Sequence, residues 1–306
     1  MASIFIQIAS YHDFELGKTI YDALYKSSKK NDIHFGIHNS YFKEKEVYIP
    51  DVPNLRIVES LAPENIGVGA SRKIANDLYN GQDYYLQIDG HTRFEYNWDQ
   101  ELIDSLESFK EIGFNKPVFT MYPGTYIYNN NLKEVVNYSI DTTSTAFKDK
   151  PEMFMTELIP NQMAVSPERG NLQRAVAAGF VFTTGDYSQL GFNEKIMFMG
   201  EEILLAASLF TNGYDLLIPD KHYIYHLYYD STAVFQKNLR RHVWKDFPAE
   251  FTKKDAISKA EVLDIFTHKR TGPGALGTEK TLEEYGIYAG LDFVNRVIIN
   301  DGESNV

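Results

Sequence analysis

The sequence has no cysteine, which rules out both a disulfide framework and thiolate chemistry. That fits a reducing compartment. No run approaches the ~18 apolar residues of a membrane-spanning helix. A strand starts almost at once, at Ile4 to Ile8, with no basic segment and long apolar segment before it. The expectations are therefore no membrane span and a cytoplasmic location. Basic residues are the minority: 30 Lys and Arg against 42 Asp and Glu give a net charge of −12. This disfavours nucleic acid and anionic membranes as general partners. What is present, 43% hydrophobic and 24% charged residues, suits a soluble globular chain with a substantial core. The aromatics are numerous enough to stack sugars or bases, or equally to fill that core.

The chain is organised around Tyr84-Tyr85-Leu86-Gln87-Ile88-Asp89-Gly90-His91-Thr92-Arg93-Phe94. Its first half has the length and composition of a strand and stops abruptly at Asp89, Gly90 and His91. Ligands of open α/β sheets bind at the carboxyl ends of strands. A carboxylate and an imidazole one residue apart suit Mn²⁺ or a similar divalent ion. Ordinary turn chemistry accounts for the same residues. Upstream, strands at Ile4–Ile8, Ile33–His38 and Leu55–Val58 alternate with a helix through Thr19, Ile20, Ala23 and Leu24. A second helix follows Gly67-Val68-Gly69-Ala70-Ser71-Arg72. The alternation predicts an α/β fold with a mostly parallel sheet covered by helices. Small residues opening that second helix, with Arg72 one turn in, suit an anionic group. The segment lacks the three-glycine spacing of a dinucleotide fingerprint, and an ordinary loop-to-helix junction explains it as well.

The second half is less regular. A helix is expected from Asn97 to Phe109, a strand over Val118–Met121, and loops with short strands around a pocket over 122–152. Ala177–Asp186 reads as a strand ending in a turn. Met197-Phe198-Met199-Gly200-Glu201-Glu202 leads into a helix, where the two carboxylates either complement the helix dipole or face a substrate hydroxyl. Leu216–Pro219 and Tyr223–Leu227 read as a strand pair, and His226 is a third candidate ligand or a structural histidine. Residues 231–266 read as helical, and the basic run Gln236–Lys245 is a solvated face or meets an anionic acceptor. His268–Gly277 reads as a basic loop with glycine hinges, able to close over donor phosphates. Residues 300–306 are expected to fray.

Taken in order, these segments resemble the GT-A (Rossmann-like) glycosyltransferases. Most closely they resemble the UDP-GlcNAc-dependent family that includes a cytoplasmic enzyme modifying hydroxyproline of a ubiquitin-ligase subunit. The carriers are Ile4–Asp13, Gly67–Arg72, Tyr85–Phe94, Ala178–Phe182, Phe198–Glu202, His226, Thr281–Tyr285 and Gly290–Phe293. Gly90 stands where related sequences carry another small residue, and the insertions of longer members are missing. The resemblance implies a catalytic domain over 1–230 and a helical C-terminal extension over 231–306. It implies Asp89, His91 and His226 on Mn²⁺ (or Mg²⁺), with Ser10, Tyr11 and Asp13 at the nucleotide. Arg72, with Lys269 and Arg270 of the loop, would meet the diphosphate. Glu201 and Glu202 would orient acceptor hydroxyl or donor sugar, Glu201 being the better choice for substrate. The implied reaction moves GlcNAc from a UDP-sugar to a hydroxyl acceptor (protein, glycan or other) with retention. The alternatives are a catalytically silent nucleotide-sugar or carbohydrate-binding module, a GT-A transferase acting on a glycan or modified nucleobase, and a metal-dependent hydrolase.

Overall fold

The computed structural model describes residues 1–43, 47–128, 172–228 and 241–299, and the backbone of three strands between 129 and 171. The chain opens with strand β1 (Ser3–Tyr11), helix α1 (Leu16–Lys26), strands β2 (Asp32–Tyr41) and β3 (Leu55–Leu61), helix α2 (Val68–Asn76) and strand β4 (Tyr84–Asp89). β1 lies parallel between β2 and β4, and β3 continues parallel beside β2. Ile4 to Ile8 are buried without a break, because helices cover both faces of the sheet. This explains a continuous apolar run where an alternating one would mark a half-exposed strand.

β5 (Thr92–Phe94) and α3 (Trp98–Glu111) follow, then β6 (Pro117–Thr120), β7 (Gly124–Tyr128), β8 (Glu134–Asn137), β9 (Thr143–Lys148) and β10 (Ile159–Ala164). β11 (Phe180–Thr184) enters the main sheet antiparallel between β4 and β6. After it come α4 (Glu201–Thr211), β12 (Asp215–Leu217) and β13 (Ile224–His226). The main sheet runs β12-β6-β11-β4-β1-β2-β3, and a smaller one runs β5-β13-β7-β8. β12 and β13 are thus not partners, contrary to the expected pair. β12 lies parallel to β6, while β13 sits between β5 and β7. Pro219, which has no N–H to give a ladder, marks where the chain leaves the main sheet.

The C-terminal part contains α5 (Val243–Asp246), α6 (Pro248–His268), α7 (Leu282–Ala289) and a short antiparallel pair, β14 (Leu291–Asp292) and β15 (Val297–Ile298). Thr281 and Glu284 form a reciprocal capping box at the start of α7. Val262, Ile265, Phe266, Leu282 and Tyr285 share one core with Phe5, Tyr85 and the apolar residues of α4. The helices therefore pack directly on one face of the sheet. Residues 231–240 of the expected helix, and 300–306, lie outside the described residues. No described helix is long and apolar enough to cross a membrane.

Candidate functional site

Sheet register builds the site. Ala9 is paired with Asp89, so Ser10 and Tyr11 project one step beyond, at the carboxyl edge of the parallel strands. β11 runs the other way, so its approach, Ala178-Gly179, also lies beside Asp89. The turn between β4 and β5 is held firmly. Thr19 of α1 donates to the Gly90 carbonyl (2.7 Å) and accepts from the Thr92 N–H (3.0 Å), and Thr92 Oγ1 donates to the Asp89 carbonyl (2.9 Å). β13 then brings in His226 opposite Thr92, and the Leu227 N–H donates to the His91 carbonyl (3.1 Å).

Asp89, His91 and His226 converge, their donor atoms all within 4.8 Å of one another. His226 Nε2 is 3.1 Å and His91 Nε2 4.0 Å from Asp89 Oδ2, and both histidines are buried. With octahedral bonds of about 2.1 Å, neighbouring donors stand about 3 Å apart and opposite ones about 4.2 Å. Three further observations show that the residues fit a divalent ion. His91 Nδ1 is held by Asp13 Oδ2 at 2.6 Å, so the ring turns Nε2 toward Asp89, and Nε2 makes no hydrogen bond among the described residues. A Cβ on Gly179 would come 3.2 Å from Asp89 Oδ2, so glycine leaves that oxygen's surroundings open. Burial works against ionisation of Asp89. The His226 hydrogen bond and the charges of Arg72 and the histidines outweigh it, holding the carboxyl far below its usual range.

Arg72 acts from behind this cluster. Expected at a diphosphate, it is instead 1% exposed and fully engaged within the protein. Its Nη2 donates to Asp89 Oδ1 (3.0 Å) and the Ala178 carbonyl (3.1 Å), its Nη1 to the Ile88 carbonyl (2.8 Å), and its Nε to Glu201 Oε1 (3.3 Å). The glycines before it serve packing. Gly67 has φ +119°, a Cβ on Gly69 would strike the Asn193 carbonyl at 2.0 Å, and the Val68 and Gly69 N–H groups donate to Met197 and Ile196. Those amides are therefore spent on the protein rather than held for a phosphate.

The adjacent glutamates part company. Glu201 pairs with Arg72, whereas Glu202 accepts from the Ala178 N–H (3.1 Å) and the Tyr122 hydroxyl (3.4 Å). Burial is the main force raising the pKa of both, and it pushes Glu202 up to about 8, aided by the charges of Glu201 and Asp89.

Two clefts meet at Asp89. One, of about 870 Å³ with its open mouth, is lined by Ser10, Tyr11, Asp13, Ser40, Phe198 and the Arg241–Trp244 segment. The other, of about 1120 Å³, is lined by Arg72, Tyr122, Gly179, both glutamates, His226 and Tyr228. Ser10 donates to Asn39 (3.0 Å) and Tyr11 to Asp246 (3.2 Å). Lys269 and Arg270 line neither cleft. Lys269 pairs with Glu283, and Arg270 with Glu261 (2.7 Å) and Asp264 (2.5 Å), since acidic residues of α6 and α7 are nearer than the sheet edge. Gly179 was singled out in the sequence only as part of the Ala178–Phe182 segment, and Tyr228 was not singled out. Arg241 and Trp244 were visible only as part of a basic run, and Tyr122 only as one of many tyrosines.

The comparison with curated proteins finds no match. Among solved structures, GalNAc-T7 with UDP, GalNAc and Mn²⁺ matches 94% of this chain at 12% identity and TM-score 0.59. This chain spans 57% of that structure's length, and the likeness shows the shared GT-A fold. S. aureus TarS matches 88% of this chain and 43% of its own at 14% identity and TM-score 0.43. The profile of one family, described as Glycosyltransferase (GlcNAc), matches residues 52–295, a span from β2–β3 through the metal-ligand cluster to the C-terminal helices. The chain belongs to that glycosyltransferase family.

Proposed function

We propose that this chain transfers GlcNAc from a UDP-sugar to an acceptor hydroxyl, with Mn²⁺ or Mg²⁺ held by Asp89, His91 and His226. The observation that carries the reading is the convergence of these three side chains at the junction of two clefts. The first cleft offers serines, aromatic rings and the cationic Arg241 to a nucleotide and its diphosphate. The second offers Tyr122, Tyr228 and Glu202 to sugar and acceptor. A divalent ion bound there supplies neutralisation of the charge that gathers on the diphosphate. The protein's residues do the rest: Asp13 sets the His91 ring, Arg72 fixes Asp89, and the rings of the second cleft keep water from the anomeric carbon.

In the proposed step the acceptor oxygen bonds to the anomeric carbon and the bond from that carbon to the phosphate oxygen breaks. UDP leaves with the electron pair, and its phosphate oxygen takes the acceptor proton. Attack from the leaving-group face retains configuration and needs no separate base. Glu202, whose carboxyl faces the cleft, is proposed as the hydrogen-bonding partner of the substrate hydroxyls, and Glu201 as the partner of Arg72. A panel of UDP-sugars incubated with protein and Mn²⁺ or EDTA tests this through UDP release. Slow release from UDP-GlcNAc that EDTA abolishes is the expected result. Release from another sugar instead would overturn the GlcNAc assignment, and an inverted product anomer by NMR would overturn retention. No release from any donor would favour a silent binding module.

A further inference from the structure

Ser71 and Ser10 both line the first cleft, and their hydroxyl hydrogens are committed in opposite senses. Ser71 lies on α2, with His38 of β2 completely buried behind it. His38 Nδ1 is 2.8 Å from Ser71 Oγ and its Nε2 is 3.1 Å from Ser60 Oγ. Burial lowers the His38 pKa to about 4, so the ring is neutral at neutral pH and carries a single nitrogen-bound hydrogen. The far end of the relay decides which nitrogen holds it. Asn65 Nδ2 donates to Ser60 Oγ (3.0 Å). The Ser60 hydrogen then goes to His38 Nε2, the acceptor that this hydroxyl meets among the described residues. With Nε2 accepting, Nδ1 holds the ring hydrogen and donates it to Ser71 Oγ. The Ser71 side chain has no other partner among the described residues, so its own hydrogen is left for a ligand in the cleft.

Ser10, near the end of β1, is set the other way. Asn39 Nδ2 donates to the Glu59 carboxylate (3.1 Å), which has no hydrogen to give, and Asn39 Oδ1 is thereby left for Ser10. Ser10 donates to that oxygen (3.0 Å) and shows the cleft lone pairs only. His38 and Asn39 are successive residues of β2, so their side chains leave opposite faces of the sheet. The donor at Ser71 and the acceptor at Ser10 therefore come from the two sides of one sheet edge. Phe198 and Trp244, with rings 5.5 Å apart, give the same cleft apolar surface for a planar ring.

We propose that these two hydroxyls select the base of the donor nucleotide. Ser71 donates to a ring carbonyl and Ser10 accepts from the ring N–H beside it, a pair that uracil presents and cytosine does not. Ser60 and His38 are positioning residues that hold Ser71 as a donor. The proposal rests on the transferase reading above and assigns residues to its choice of base. With the ring held in place by its ribose and diphosphate, cytosine puts a lone pair at N3 and an amino group at C4. At least one of the two contacts then sets lone pair against lone pair or hydrogen against hydrogen, which excludes the wrong base by leaving polar groups unpaired. Guanine has the same carbonyl and N–H on a larger, two-ring base, so uracil against cytosine is the comparison that isolates polarity from size.

Titration calorimetry of UDP and CDP in the presence of Mn²⁺ tests this. UDP should bind at least ~10-fold more tightly than CDP, a difference of about 1.4 kcal/mol. Ser71→Ala should weaken UDP about tenfold and leave CDP within about twofold. Ser60→Ala, at a side chain outside the described lining, should narrow the ratio of the two affinities at least ~3-fold, because His38 then has no fixed hydrogen. A merely structural role for either serine would move both affinities together. Equal affinities for UDP and CDP would overturn the proposal, as would an unchanged ratio in Ser71→Ala, and an unchanged ratio in Ser60→Ala would overturn the relay. The transferase reading fails separately, when neither nucleotide binds. If a variant does not fold, the comparison of UDP with CDP on the unaltered protein still decides.

Discussion

Glu202 offers the sharpest test of the site's electrostatics. Burial, with the charges of Glu201 and Asp89 nearby, raises its pKa from 4.5 to about 8, against the opposing hydrogen bond from the Ala178 N–H. A carboxyl whose pKa is higher folded than unfolded stabilises the fold fully below the unfolded value, and that contribution is lost as pH rises to the folded value. The loss therefore runs from pH 4.5 to about 8 and then levels off. At ~1.4 kcal/mol per pH unit the whole interval is worth about 5 kcal/mol. Because Glu202 keeps an edge open to the cleft, water trims this to ~2–4 kcal/mol. Glu202→Gln keeps the shape and the bond from the Ala178 N–H, lets its NH2 donate to the Tyr122 oxygen in place of accepting from it, and removes the titration. With EDTA present, its stability relative to the unaltered protein should be nearly level at pH 4 and ~2–4 kcal/mol greater at pH 8.5, a rise of roughly 4–8 °C in Tm. Thermal or denaturant unfolding across this pH range measures it. A difference that does not change with pH would mean that Glu202 titrates as in water, and the reasoning would fail.

Asp89→Asn should abolish measurable Mn²⁺ binding by calorimetry and UDP release alike, with the circular dichroism spectrum unchanged; retained Mn²⁺ affinity would remove Asp89 from the ligand set. Asp13→Asn should weaken Mn²⁺ affinity ~10–100-fold by freeing the His91 ring, as loss of a ligand's orienting partner does elsewhere, and unchanged affinity would show that the contact is incidental. Arg72→Met should cost ~3–5 kcal/mol in denaturant unfolding, because it leaves Asp89 and Glu201 buried without their counter-ion; a loss below ~1 kcal/mol would contradict the hub geometry. Lys269→Ala with Arg270→Ala should leave UDP affinity within about twofold, since these side chains pair with α6 and α7, and a large loss would restore the loop as a phosphate contact.

Local sequence determined much of the fold. β1, β2 and β4 were legible as apolar runs because a strand buried on both faces needs no partner to declare itself, while β3, at the sheet edge, was legible from the short run Leu55–Val58. The helices were legible from their apolar periodicity, and Asp89 and His91 from their place one residue apart where β4 stops. Pairings between distant segments were not legible. β12 and β13 looked like a hairpin, and only packing decided that one joins β6 while the other carries His226, 137 positions from Asp89, to 3.1 Å from it. The residue types of Arg72, Lys269 and Arg270 suited a diphosphate equally well. What separated them from it was the position of acidic partners, Asp89 and Glu201 for one, Glu283, Glu261 and Asp264 for the others. Glu201 and Glu202 are neighbours of one type, and the ~100° between successive helical positions gives one to Arg72 and the other to Tyr122 and the cleft. The sequence by itself thus named the chemical groups and the strands that carry them. Tertiary structure decided which charges neutralise one another inside the protein and which remain open to a ligand, because a charge's partner is set by distance in space, which chain order does not encode.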